Sequence, residues 1–202
     1  MSDQHFILAS ASPARLALLR SAGMRPDVIV SGVDESGVMA GSDASKVCAE
    51  LARLKCAAVA GRPAAAGALV LGCDSVLDFD GEVWGKPDGP AAAVARWRRM
   101  RGRSGVLRTG HHLIDNRTGR QAGAVGSTVV RFAAVSDAEI EAYVATGEPL
   151  EVAGSFTVDG RGGPFVSGVD GDPGTVIGVS LPLLRELLAE LGLAVTDLWV
   201  TS

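Results

Sequence analysis

The sequence predicts an α/β fold: a mixed, twisted sheet flanked by helices, arranged as two lobes around a cleft. Three observations predict it. Short apolar runs alternate with helical patterns through the first half of the chain. Strand-like runs dominate from Val106 to Val130, and an amphipathic helical pattern spans Leu181 to Leu191. A chain of 202 residues can bury one α/β core, and no internal repeat or low-complexity linker divides it, so residues 1–202 read as one domain.

The elements follow in order. Residues 5–10 read as a strand that breaks at small hydroxyl residues, and 13–23 as a helix ending at Gly23. Pro13 stands at the first helical position with Ser12 as N-cap, so free backbone N–H groups and the helix dipole point above the strand. Val28–Val30 is a second strand that leads into Asp34-Glu35. Residues 43–60 carry a helical pattern with Val47, Leu51, Leu54 and Ala58 on one face, closed by Gly61 and Pro63. Leu69–Leu71 is a third strand, ending at Gly72-Cys73-Asp74-Ser75, and Val76 to Trp84 reads as a hairpin around Asp80-Gly81. Pro90 to Arg101 is a helix. Asn116 to Gly119 is a turn between strands, and Ser136 with Glu139 caps a helix that runs to Thr146. Residues 147–180 read as loop-rich.

Composition narrows the function. Hydrophobic residues make up 47% and charged residues 21%, which suits a globular core and excludes a disordered chain. A net charge of −4 argues against a general nucleic-acid surface, though not against a basic pocket in an acidic shell. No apolar run is long enough to span a membrane, and no signal peptide is expected. Cys48, Cys56 and Cys73 are scattered, with no metal or redox spacing, which fits a reducing, cytoplasmic setting. His111 and His112 adjoin in a strand and so point to opposite faces. Arg96, Arg98, Arg99, Arg101 and Arg103 suit a solvated helix face or an interface, and the three tryptophans suit packing.

The chemistry gathers at the ends of expected elements. Arg15 lies in the first turn of the first helix, where it can grip phosphate. Glu35 and Asp74 follow strands, where carboxylates hold Mg²⁺ or activate water. Lys55 on the long helix and Lys86 in Gly85-Lys86-Pro87 can neutralise phosphate charge. Each residue alone has a bland reading as a turn or surface group. The set has the content of a metal-assisted phosphoanhydride hydrolase.

In order and spacing, these residues resemble the Maf family of nucleoside triphosphate pyrophosphatases along nearly the whole chain. The resemblance rests on Ser10-Ala11-Ser12-Pro13-Ala14-Arg15 with Leu18-Leu19, on Asp34-Glu35, and on Leu51-Ala52-Arg53-Leu54-Lys55. It continues through Gly72-Cys73-Asp74-Ser75, Gly85-Lys86-Pro87, Thr109-Gly110, Tyr143 with Glu148-Pro149, and Ala153-Gly154-Ser155-Phe156. Val176 to Leu183 is similar to the family's last strand and helix, in its actinobacterial branch. The resemblance implies an inosine triphosphatase-like fold and hydrolysis of a nucleoside triphosphate to monophosphate and pyrophosphate with a divalent metal, Mg²⁺ or Mn²⁺. It implies that Asp74 is the general base and a metal ligand, and that Glu35 helps bind the metal. It implies that Ser10, Arg15, Lys55 and Lys86 contact phosphate, and that the chain forms a homodimer.

Ala14, Ser75 and Asp159 depart from the dTTP- and UTP-preferring subgroup at positions tied to base choice. The expected base preference therefore shifts and broadens, leaning to guanine or cytosine, whose N–H donors suit a carboxylate such as Asp159, while uracil's single imino N–H suits it too. Two readings of Asp159 stay open: it meets the base, or it caps a glycine turn. Two other functions compete with the hydrolase, a nucleotide-binding regulator of septum formation without catalysis and a sugar-nucleotide transferase.

Overall fold

The computed structural model describes residues 4–35 and 43–200. Its elements run β1 (Phe6–Leu8), α1 (Pro13–Ser21), β2 (Asp27–Val28), α2 (Ala44–Ala60), β3 (Leu69–Phe79), β4 (Glu82–Trp84) and α3 (Pro90–Met100). They continue with β5 (Ser104–Asp115), β6 (Gln121–Phe132), α4 (Asp137–Ala145), β7 (Val166–Asp170), α5 (Pro173–Ile177) and α6 (Leu181–Glu190). The strands form one seven-stranded sheet in the order β2-β1-β3-β5-β6-β7, with β4 paired to β3. β1 runs parallel to β2 and β3, and the other pairs are antiparallel.

Strand alternation sorts the core. On one face, Leu69 and Leu71 of β3 pack with Leu113 of β5 against Leu19 of α1 and Leu184, Leu187 and Leu188 of α6. Farther along the same face, Leu77 and Phe79 pack with Leu107 against Trp97 and Met100 of α3 and Ile140 and Tyr143 of α4. Between these apolar blocks the paired residues are Cys73 with His111 and Ser75 with Thr109, so a polar belt crosses an otherwise apolar face. The opposite face of β3, carrying Val70, Gly72, Asp74 and Val76, is covered by α2.

Several expectations shift. The hydrophobic stripe of α2 is Ala44, Val47, Cys48, Leu51, Ala52, Cys56 and Val59, while Leu54 is half-buried and Ala58 exposed. Within this stripe the small residues Cys48, Ala52 and Cys56 stand where the helix backbone lies directly on two sheet glycines. A Cβ at Gly72 would sit 2.3 Å from the Ala52 carbonyl oxygen, and one at Gly110 would sit 2.2 Å from that of Cys48. Asp74 does not end a strand, because β3 runs on through it to Phe79. The strand expected at Val28–Val30 is the short pair Asp27–Val28. The stretch 147–180 holds a real strand, β7, and Val176-Ile177 ends a short helix where the resemblance implied a last strand. The β3–β4 hairpin turns at Asp80 and Gly81 with φ of 54° and 78°, the double left-handed geometry a two-residue hairpin needs.

Candidate functional site

A gap in strand pairing creates the site. β1 pairs with β3 only at Leu69–Leu71, and β4 pairs with the same edge only at Leu77–Phe79. Among the described residues, no strand therefore lies beside 72–76 on that edge, which leaves backbone groups that need other partners. A cleft of about 910 Å³ opens there. Side chains from both faces of β3 reach it, which is how Asp74 and its neighbour Ser75 line the same cleft. Ser10, Ala14, Arg15, Glu35, Lys55, Lys86 and Asp159 line it as well, so the candidate catalytic, phosphate-binding and base-choice residues meet in one place.

Asp74 is buried, and the Lys55 ammonium lies 2.6 Å from its Oδ1 and 2.6 Å from Glu35 Oε1. Two carboxylates thus converge on one cation. Burial pushes the Asp74 carboxyl above the usual carboxylate range, Glu35 adds to the rise, and Lys55 and Arg15 oppose it. The closeness of α2 to Gly72 and Gly110 brings Lys55 down to the strand.

Arg15 plugs the strand gap. Its Nη1 donates to the free edge carbonyl of Cys73 at 3.0 Å and to Ser10 Oγ at 3.0 Å. Its Nη2 donates to Ser75 Oγ at 3.0 Å, and its Nε donates to the Gly178 carbonyl at 3.1 Å. Gly178 closes α5 with φ of 117°, and a Cβ there would lie 2.7 Å from Arg15 Nε, so glycine meets both demands. Ser12 caps α1 by accepting from the Arg15 N–H, as its position implied.

The other rim is looser. Lys86 Nζ lies 3.3 Å from Glu151 Oε2, with both side chains mostly in solvent. Gly85, beside it, accepts from the Gly154 N–H and from Arg96 Nη1, and Trp97 Nε1 donates to the Ser155 carbonyl. The Arg cluster is therefore not simply solvated: Arg98 and Arg101 pair with Asp137, and Arg99 pairs with Glu82 while stacking 4.8 Å above Trp84.

Asp159 is exposed at the cleft and makes no hydrogen bond or ion pair with the described residues. The glycine turn beside it is tied by Glu148 instead. That carboxylate accepts from Thr157 Oγ1 at 2.6 Å, Tyr143 OH at 3.0 Å, and the N–H groups of Arg161 and Gly162 at 3.1 Å. Those four donors hold Glu148 below the usual carboxylate range against its partial burial. Val76, Leu107, Phe156, Val176 and Ile177 give the cleft an apolar wall.

A model of the family described as Maf-like protein matches residues 5–191. The chain belongs to the Maf family. A Maf relative from Salinispora tropica, named nucleoside triphosphate pyrophosphatase, is 63% identical over 96% of this chain and 86% of its own length. A relative of the same name from Streptomyces coelicolor is 58% identical over 98% of this chain and 96% of its own, and one from a Cyanothece species is 54% identical over 96% and 98%.

Three residues of this Maf site were not assigned a role from the sequence. Glu148 and Thr109 stood in motifs, yet their partners lie on other elements. Glu151 carries no local signal at all, since a lone acidic residue in a loop is usually solvated.

Proposed function

We propose that the chain hydrolyses nucleoside triphosphates to the monophosphate and pyrophosphate. The observation that carries this reading is the buried Asp74 carboxylate at the strand gap, paired with Lys55 in a cleft with cationic groups and an apolar wall. Water adds to phosphorus, the P–O bond between the α and β phosphates breaks, and pyrophosphate leaves. Asp74 accepts the proton of the attacking water, and its raised pKa makes it a better base. Lys55, Arg15 and Lys86 bind the polyphosphate, and Ser10 Oγ, which accepts from Arg15 and from the Ser12 N–H, keeps its own proton to donate to a phosphate oxygen.

A divalent cation fits the donor set. Glu35 and Asp74 are hard oxygen donors that already converge on one positive atom, and Mg²⁺ takes one or two carboxylates together with substrate phosphates. When bound, such a cation neutralises charge on the phosphate oxygens. At the far end, Asp159, which has no partner among the described residues, reads the base by accepting from the exocyclic amino group of guanine or cytosine, a donor that thymine and uracil lack. Ala14 presents only a methyl group to the cleft, which leaves room on that side.

The test is pyrophosphate release from a panel of nucleoside triphosphates with Mg²⁺ or Mn²⁺, for the wild type and Asp74→Asn. The wild type is expected to form monophosphate and pyrophosphate, and the variant to lose roughly 10²- to 10⁴-fold in kcat while keeping its fold. No turnover of any nucleotide by the folded wild type overturns the catalytic reading in favour of a nucleotide-binding regulator.

A further inference from the structure

We infer that Ser75 and Thr109 are positioning residues for Arg15, acting on the phosphate end of the cleft and not on the choice of base. The inference deepens the function proposed above and rests on its assignment of Arg15 to the polyphosphate.

The direction of each hydrogen bond carries it. Thr109 is fully buried, and its Oγ1 donates to the Thr175 carbonyl at 2.7 Å. A hydroxyl has one proton, so Thr109 Oγ1 must accept in its 2.8 Å contact with Ser75 Oγ, and Ser75 is the donor. Ser75 Oγ in turn accepts from Arg15 Nη2 at 3.0 Å. The chain therefore runs one way, from Arg15 through Ser75 and Thr109 to a backbone carbonyl of α5. The Ser75 proton is committed to the protein, so the hydroxyl has none to offer a base acceptor.

Arg15 has five N–H donors, and four go to the protein: one each to Gly178, Cys73, Ser10 and Ser75. One Nη2 proton remains, on a side chain that lines the cleft. Among the described residues only Ser75 bonds that nitrogen, and with the bonds to Gly178, Cys73 and Ser10 it holds the planar guanidinium, and so the last proton, in place. Ser75 and Thr109 face each other across β3 and β5 in the polar belt, a row that is apolar on either side. Thr109 is buried and Ser75 half-buried, and both hydroxyl protons are committed within the chain, so what Arg15 Nη2 fills is the acceptor position left on Ser75 Oγ.

A ligand without a base separates the two roles. Inorganic tripolyphosphate binding is measured by calorimetry for the wild type, Arg15→Ala, Ser75→Ala, Thr109→Val and Thr109→Ser. Thr109→Val and Ser75→Ala are expected to weaken binding about tenfold, and Thr109→Ser to restore it to within twofold. In the Arg15→Ala background the same two changes are expected to move affinity by less than twofold, because there is no guanidinium left to orient. Across a nucleotide panel, kcat/KM should fall by one common factor for every base.

Tripolyphosphate affinity that ignores Thr109→Val and Ser75→Ala, effects that add fully to Arg15→Ala, or a tenfold change in base preference in Ser75→Ala would each overturn the inference. So would a wild type that does not bind tripolyphosphate. If no nucleotide is hydrolysed yet binding depends on Thr109 as it does on Arg15, the positioning role stands and the catalytic reading alone fails.

Discussion

At the sheet end of the cleft, Lys55 bridges Asp74 and Glu35 at 2.6 Å, with side-chain exposures of 13% for the lysine and 9% for Asp74. At the loop end, Lys86 meets Glu151 at 3.3 Å, with exposures of 63% and 79%. Both are lysine–carboxylate pairs in one cavity, yet their physics differs. Buried charges lose their hydration and depend on each other, so removing one partner strands the other. Exposed charges are screened by water and nearly independent. The sheet end is thus held ready before any ligand arrives, while the loop end has free groups that a ligand can reorganise. Chemistry needs the first property, and recognition of varied bases suits the second.

Matched lysine substitutions break this comparison most directly. Lys55→Met should destabilise the fold by about 3 kcal/mol and abolish turnover, because Asp74 loses the ammonium that opposes its burial. Lys86→Met should move stability by less than about 1 kcal/mol while raising KM. Urea denaturation of the two variants checks it, and equal stability losses would mean the two ends are not built differently.

A pH titration probes the belt behind the sheet end. His111 is buried, with Nδ1 3.0 Å from the Thr109 carbonyl and Nε2 2.8 Å from the Ser180 N–H that donates to it. The ring is therefore neutral with its proton on Nδ1, and burial pushes its pKa from 6.5 down to about 4, aided by Arg15. A base whose folded pKa is depressed contributes stability that is present above pH 6.5 and lost as pH falls toward 4. The loss should reach on the order of 3 kcal/mol. Denaturation midpoints across that window should fall steeply for the wild type and less steeply for His111→Gln.

The smallest expected change in stability sharpens the loop end. Asp159→Asn should alter base preference while shifting stability by under about 0.5 kcal/mol, since the side chain is exposed and has no partner among the described residues. Glu148→Gln offers the contrast: it disturbs the turn that carries Asp159 and should cost stability as well as selectivity. Relative kcat/KM for guanine, cytosine and uracil triphosphates, read beside melting temperatures, distinguishes the two.

The local signals were legible where they act locally. Ser12 and Pro13 mark the start of α1, Ser136 and Glu139 close a capping box, and Asp80-Gly81 turns a hairpin, all within a few residues. Element edges were less legible. Asp74-Ser75 looks like a strand end because two polar residues interrupt an apolar run. The strand continues because its partners Gly110 and Thr109 on β5 continue, and those lie more than thirty residues away. β7 was hidden among glycines, since its pairing with β6 depends on backbone groups that any sequence supplies. On α2 the expected Val47 and Leu51 are buried, while Leu54 and Ala58 turn away because the close contact at Gly72 and Gly110 is made by Cys48, Ala52 and Cys56.

The order of residues along the chain is enough to name the chemical groups this protein has to work with: two carboxylates, two lysines and an arginine beside a helix start. It also determined the alternation of strands and helices that carries them, because periodicity and capping are local properties of a chain. What those groups do to one another depends on contacts between elements far apart in the chain. The gap between β1 and β4 on a single edge of β3, the glycines that let α2 settle onto the sheet, and the one-way chain from Arg15 to Thr175 join residues far apart in sequence. Such contacts are set by how strands pair and helices pack, and no local pattern encodes them.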